Sequence, residues 1–374
     1  MENFENDINQ STSTKSKAAK SKRDALKLVV LILVIGIALV LYNISGCQKA
    51  TVENIYTFEN NSNHQIREYN GKLITVSYDG IDFMSVTGEQ SDAVKNHMSN
   101  PHINISDNMI LLYDKNNKNL AVYEGSKQKY TYECDRTIKS AKVNKNGYVV
   151  LITDEVAYNS RVTVLNNKGE VAYIWKIGDQ YIIDADISAD NKRLVAATIS
   201  TDTGVIVENI VFVDINKAEE TGSVHNQGDI PVAVEFADSG YVIAVSDNKM
   251  CAYNHKAERK WINSFENNLL ESFVIDDAGN TVVALKGIKN NTVIQTFTKN
   301  GSLSGEYTTE TRVVHMALNQ KHIAICEDTK VSVINYSGKL VSSTDIKKDV
   351  QDIAVIGNDN VVLLCDDCIQ LLKI

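Results

Sequence analysis

Between Leu28 and Tyr42 lie fifteen consecutive residues without a charge or a strong polar group, and no other stretch of the 374-residue chain matches it. Downstream the pattern changes. From about residue 65 onward, short alternating runs lead into turns rich in Asp, Asn, Gly and Lys, and dense β-branched runs follow those turns. One copy starts at Asp184-Ala-Asp186, passes through a polar turn to Leu194-Val-Ala-Ala-Thr-Ile199, and continues with Asn209-Ile-Val-Phe-Val213. Others are Val232–Ser246 followed by Met250–Asn254, and Ser272–Leu285 followed by Val293–Phe297. The dense runs centre on Ile74, Ile110, Val150, Val195, Ile243, Val283, Ala324 and Val362, a spacing that averages about 41 residues. Period-two alternation excludes helical solenoids of similar repeat length. Several strands per 40 to 50 residues is the signature of propeller blades. The pattern therefore predicts an all-β propeller over 65–374 with eight four-stranded blades, seven being the alternative.

Ring closure makes a further demand. The chain ends within the third strand of the last repeat (Cys368–Ile374), and a missing outer strand would expose an unpaired edge. The strand-like segment Asn54–Phe58, inside a polar linker at 47–64, is expected to pair there and close the ring.

The apolar run is short for a span, which needs roughly 20 residues. Extended over 26–46 it reaches about 31 Å at 1.5 Å per residue, with Lys27 snorkelling to one interface. Lys15, Lys17, Lys20, Lys22, Arg23 and Lys27 precede it, with only Asp24 among them. Positive charge beside a span stays cytoplasmic. A disordered cytoplasmic tail (1–25), one transmembrane helix (26–46) and a body outside the cytoplasmic membrane are the expectation. Ile44-Ser-Gly-Cys47 resembles the lipobox of bacterial lipoproteins, which implies the alternative of a body tethered through a lipidated Cys47 at the outer side of the same membrane. The leader is longer than that family usually carries.

The whole chain has a formal charge of −9, and residues 1–27 contribute six basic against four acidic groups, so the remainder is near −11. A negative body argues against nucleic acid as a partner. Lysine outnumbers arginine 31 to 7 with only two prolines, the bias of an AT-rich bacterial genome. Ser188-Ala-Asp-Asn-Lys-Arg-Leu194 is similar to the Ser-Pro-Asp-Gly-Lys turn of WD-repeat-like blades, without its Pro or Gly. The single span and the repeats together resemble membrane-anchored propeller proteins of unknown function from Firmicutes, and the blades also resemble quinoprotein-dehydrogenase-like ones. Fold alone implies no activity in this architecture.

Chemistry is sparse. Gly-x-Ser-x-Gly and phosphate-cradling loops are absent, and the seven histidines lack metal spacing; the closest pair, His97 and His102, stands five apart around a proline. Adjacent cysteines, calcium ligands and docking tryptophans of quinoproteins are missing, as are sialidase-type Asp boxes. No enzymatic activity and no cofactor are expected. Cys365-Asp-Asp-Cys368 brackets a tight turn where a disulfide can form, since an exterior compartment permits one. Aligning the repeats brings out one constellation: the turns between second and third strands hold Asp79, Asp114, Asp154, Asp202, Asp247, Asp328, Asp366 and Asp367, with Lys286 in the remaining copy. Such a rim would attract a basic partner, although Asp is also a common turn former, and Asp107, Asp190, Asp238 and Asp277 occupy turns on the opposite face. The reading is a non-catalytic binding or scaffolding module for an envelope protein or cell-wall ligand. The alternatives are a sensor or assembly accessory subunit of a membrane complex, and an enzyme acting on wall polymer or glycan.

Overall fold

Every dense β-branched run is the second strand of a four-stranded antiparallel blade, and there are eight blades. The structure, a computed structural model, describes residues 51–58, 64–288 and 291–374. The expected tail, the membrane helix and Cys47 lie outside the described residues. Among those described, no helix is long and apolar enough to cross a membrane.

We name the strands of each blade a to d from the channel outward. Blade 1 is Gln65–Tyr69, Lys72–Ser77, Gly80–Met84 and Gln90–Lys95; blade 2 is Pro101–Ser106, Met109–Asp114, Asn119–Glu124 and Lys127–Glu133. Blade 3 is Ile138–Val143, Val149–Glu155, Tyr158–Leu165 and Val171–Ile177; blade 4 is Tyr181–Ile187, Arg193–Asp202, Val205–Asp214 and Glu219–Gln227. Blade 5 is Pro231–Phe236, Val242–Ser246, Lys249–Tyr253 and Arg259–Ser264; blade 6 is Leu269–Ile275, Thr281–Lys286, Thr292–Phe297 and Leu303–Thr309. Blade 7 is Val313–Leu318, His322–Glu327, Lys330–Asn335 and Leu340–Asp345. Blade 8 takes Val350–Ile356, Asn360–Cys365 and Cys368–Lys373 from the C-terminus and its outermost strand, Thr51–Thr57, from the other end of the described chain.

The strands b are apolar on both sides because each blade is sandwiched between two others. Val149 and Leu151 pack towards blade 2, while Val150 and Ile152 pack towards blade 4. The same division recurs around the ring, so each blade-to-blade interface holds its own apolar cluster. Outer strands face solvent and alternate, as Val171–Ile177 does. The c–d turns are built by a side chain: Asn166 Oδ1 accepts the N–H of Lys168 (2.9 Å) and Glu170 (3.0 Å), and Asn254 and Asn335 repeat the device. This Asx arrangement explains why so many repeats carry Asn there. At Gly301, φ is +77° and a Cβ would lie 2.5 Å from Trp261 of the preceding blade. The indole covers that turn and its Nε1 donates to Lys299 O at 3.2 Å.

The closing strand runs antiparallel to Cys368–Lys373, Thr51 opposite Lys373 and Thr57 opposite Cys368, with a bulge at Ile55. It starts three residues before the segment 54–58 singled out by its pattern. Thr51, Val52 and Glu53 are all exposed, so no apolar alternation marks them. Phe58 N donates to Asp367 O (2.9 Å), Gln370 Nε2 to Asn54 Oδ1 (2.9 Å), and Lys373 pairs with Glu53 (3.0 Å). Ile55 and Phe58 pack on the cluster between blades 8 and 1.

Because removal of 51–58 bares the backbone of Cys368–Lys373, a chain truncated to start at residue 59 should melt at lower temperature and self-associate through that edge. Thermal denaturation and light scattering check this; an unchanged melting curve and a monomer would refute it.

Candidate functional site

Antiparallel blades divide the turns between two faces. The b–c and d–a turns emerge on one, and the a–b and c–d turns on the other. The eight aspartates of the sequence-derived rim all lie at b–c turns, yet they do not converge. Asp114 is buried and caps the loop before its own blade, accepting from Ser99 N (3.1 Å) and Asn100 N (2.7 Å). Asp247 does the same for Ile230 N (3.0 Å). Asp154 pairs with Lys139 (2.8 Å), Asp79 with His97 (3.3 Å) and Asp367 with Lys348 (2.6 Å), while Asp366 accepts from Gln351 Nε2 (2.8 Å). Asp202 and Asp328 are exposed. Most of the rim is turn and loop chemistry.

The charges that do converge sit at the a–b mouth of the channel. The innermost strands of neighbouring blades are latched by side chains. Asn104 Oδ1 of blade 2 accepts Val143 N of blade 3 (2.8 Å), and Asp352 of blade 8 accepts Ile66 N of blade 1 (3.1 Å). Between blades 4 and 5 the latch is doubled: Asp184 accepts Val234 N (2.9 Å) and Asp186 accepts Phe236 N (2.7 Å). Lys142 of blade 3 reaches across, donating to Asp184 Oδ2 (2.6 Å) and Val234 O (3.0 Å), with Glu235 Oε1 at 3.8 Å. Beside this group a cavity of about 380 Å³ is lined by Asn104, Asp107, Lys145, Glu235, Asp238 and Asp277, among others. Lys145 pairs with Asp238 (3.1 Å).

Burial sets the electrostatics here. It pushes the Glu235 carboxyl up to about 7, against the attraction of Lys142, and neighbouring Asp186 and Asp184 add to the rise. Asp186 is raised to about 6, also chiefly by burial. The 37 % of the Glu235 side chain that is accessible lies on the lining of this cavity. Burial alone disfavours the Lys142 ammonium, but Asp184, Glu235 and Asp186 outweigh it and hold it charged. Asp277 is raised by burial and then by Asp238, Asp276 and Asp107, so acids of blades 2, 5 and 6 feel one another across the cavity. A carboxyl protonated near neutrality beside a fixed ammonium can donate a hydrogen bond or lose its proton to hold a cation. Among the described residues no group of three or more His, Cys, Asp or Glu side chains is placed to hold a metal.

Residues 44–374 match the family of unknown function DUF5711. The chain belongs to that family. No curated protein matches it. Solved structures similar to this DUF5711 chain include BamB from Moraxella catarrhalis, at 11 % identity and a TM-score of 0.55 over 87 % of this chain and 100 % of that one. The C-terminal WD40 domain of Sif2 is 12 % identical with a TM-score of 0.65, over 87 % of this chain and 99 % of that one. KlHsv2 with loop 6CD replaced by a Gly-Ser linker is 13 % identical with a TM-score of 0.51, over 72 % and 89 %. These similarities establish a propeller fold and nothing about ligand.

A second ionic network in this DUF5711 body lies on the b–c face of blade 3. Arg161 is buried and donates to Asp135 and to Glu155 (3.2 Å), with Cys134 Sγ at 3.6 Å. Glu155 also receives Lys176 (3.1 Å) and Arg136 (3.4 Å). The Lys176 hydrogen bond leads in holding Glu155 down at about 2, and the Arg161 hydrogen bond does the same for Asp135, also about 2. Cys365 and Cys368 are free thiols side by side across their turn rather than bonded, and Cys134, Cys251 and Cys326 are also free and buried. Burial raises all five thiols.

The Lys142 group leaves no local pattern in the sequence, because its partners lie on two other blades, 42 and 92 positions from Lys142. One signal was available: Asp184-Ala-Asp186 puts two carboxylates on the same side of an innermost strand, where apolar packing does not occur.

The two networks have opposite pH signatures. Glu235 binds its proton more tightly folded than unfolded, so its contribution is lost as pH rises from about 4 through about 7. Glu155 binds its proton less tightly folded, so its contribution is present above about 4 and is lost as pH falls towards about 2. Glu235→Gln should therefore raise the melting temperature near pH 8 and change it little near pH 4. Glu155→Gln should lower it near pH 8. Lys142→Met strands three carboxylates and should cost on the order of 3 kcal/mol, with Asp184→Asn in the same chain recovering part of the loss in denaturant titrations. Iodoacetamide should leave the five described cysteines unmodified in the native protein and label them in denaturant.

Proposed function

We propose that this protein is a non-catalytic binding or scaffolding propeller, tethered at the outer side of the bacterial cytoplasmic membrane and presenting its turns to another envelope or membrane protein. The observation that carries the binding role is the division of its surface. Among the described residues, the large apolar side chains left exposed at turns and strand starts lie mostly on the b–c face, and only Val52, Val171 and Leu303, at the starts of outermost strands, stand at the opposite end. Apolar side chains gathered on one face of a soluble ring mark a contact surface, and a rigid ring holds loops in fixed relation for recognition. The similarity to BamB and WD40 propellers supports the architecture this role needs.

The tether rests on the apolar run Leu28–Tyr42 and the lysines before it. A lipid on Cys47 is the alternative anchor. Protease added to intact cells should remove the body but spare the first 27 residues, and the mass of the N-terminal fragment should distinguish a retained span from a lipidated Cys47. The isolated body should capture one stoichiometric envelope partner. Turnover of muropeptides or glycans abolished by a single carboxylate substitution would overturn the non-catalytic assignment.

A further inference from the structure

We propose that the b–c face of blades 4 to 7 docks a partner segment in which apolar side chains are interspersed with lysine or arginine. This deepens the binding role above and rests on it. The inner strands of four consecutive blades carry exposed apolar residues within their first three positions: Tyr181 and Ile183, Val232, Leu269, and Val314. Ile230 precedes one of these strands, and Val205, Ile206 and Ile288 stand at the b–c turns outside them. Leu269 is 68 % exposed and Ile288 84 %. The result is an arc of inner-strand residues around one side of the channel mouth, and Tyr78, Val156 and Tyr158 at the b–c turns of blades 1 and 3 are the exposed apolar residues of this face outside it. In blades 8, 1, 2 and 3 none of the first three positions of the inner strand is an exposed apolar residue.

Within the arc, a cavity of about 320 Å³ opens between blades 5 and 6. Val232, Leu270 and Phe273 form its apolar wall, with the carboxylates of Asp247 and Glu271 on its lining. It is large enough for an apolar side chain. Charge selects the occupant. Asp179, Asp202, Glu266, Glu310 and Asp328 are exposed on this face of blades 4 to 7 and none makes an ion pair, whereas Lys286, Arg312 and Lys347 are the exposed cations among the described residues there. A second copy of the chain would bring the same carboxylates together. A cationic segment would relieve their repulsion while filling the apolar arc, and the rim aspartates Asp202, Asp247 and Asp328 then contribute as part of this surface.

The body Lys49–Ile374 is a compact unit closed by its own strand, so it can be tested alone. The probes are fluorescein-labelled peptides of alternating Lys with Leu and Phe, the same with Glu in place of Lys, and alternating Lys with Ser, followed by fluorescence anisotropy. The Lys–Leu/Phe peptide should bind, and the other two about tenfold or more weaker. Salt should weaken the binding. Val232→Ser with Leu269→Ser, or Asp202→Lys with Glu266→Lys, should each weaken it about tenfold; all four residues except Val232 are well exposed, and circular dichroism verifies that the fold is kept. Asp238→Asn with Asp277→Asn, on the opposite face, should leave it unchanged. Equal binding of all three peptides, binding indifferent to the b–c face variants, or no binding at all overturns the proposal. Photo-crosslinkers placed at Leu269 and at Asp277 in the membrane-held full chain separate the two claims. A discrete adduct from Asp277 alone removes this face and keeps the binding role, and no adduct from either position removes both.

Discussion

The ring depends on one pairing between residues more than 300 positions apart. Thr51–Thr57 completes the blade that the C-terminal strands leave open, and every other blade is continuous in sequence. Seven sheets can form from local hairpins, but their apolar clusters are shared across blade boundaries, so each is complete only when its neighbour is present. Blade 8 lies between blades 7 and 1, and without its outer strand both the cluster holding Ile55 and Phe58 and the edge at Cys368–Lys373 are left bare. Closure converts a row of sheets into a ring with no open edge at that point. A contact of such sequence separation is entropically late in folding.

Once the ring is closed, the channel can tolerate electrostatics that no isolated sheet would hold. The latches from Asp184 and Asp186 place two carboxylates beside Glu235 and within reach of Lys142. The single ammonium cannot balance three carboxylates, which is why burial and mutual repulsion lift Glu235 and Asp186 towards neutrality. On blade 3 the balance is reversed: Arg136, Arg161 and Lys176 surround Glu155, and its carboxyl is held far down. Two networks of similar composition thus differ in sign because one has surplus anions and the other surplus cations. Only the first has its surplus facing a cavity.

The fold was legible because strand b is buried on both faces in every blade. That makes a run such as Val149-Val-Leu-Ile152 or Val361-Val-Leu-Leu364 stand out from polar turns at a regular interval. The beginning of the closing strand was not legible, since Thr51, Val52 and Glu53 lie on an exposed edge that imposes no pattern. The acidic rim was legible as a repeat but not as a site. Asp114 and Asp247 recur because a carboxylate at that position satisfies the N–H groups of the preceding loop, a requirement each blade has for itself. Conversely, Asp107, Asp238 and Asp277, which in sequence only blur the contrast between the faces, are brought to one cavity by the curvature of the ring. Repetition reports what each blade needs, whereas convergence depends on the ring.

The two faces differ for a related reason. A turn that serves only its own blade is free to be polar, and the a–b and c–d turns follow that rule with Asn, Asp and Gly throughout. The exposed apolar residues of blades 4 to 7 satisfy no such local need: Leu269, Tyr181 and Ile288 cap nothing and pack into no cluster between blades. Their exposure to water has an unfavourable free energy that each could shed by substitution without disturbing its strand. Alternation cannot account for those on the inner strands either, because the first positions of the inner strands in blades 1, 2 and 8 are covered or polar. Residues that repeat without function and residues that break the repeat without structural benefit are the two halves of one criterion, and it is the second kind that points to contact with another molecule.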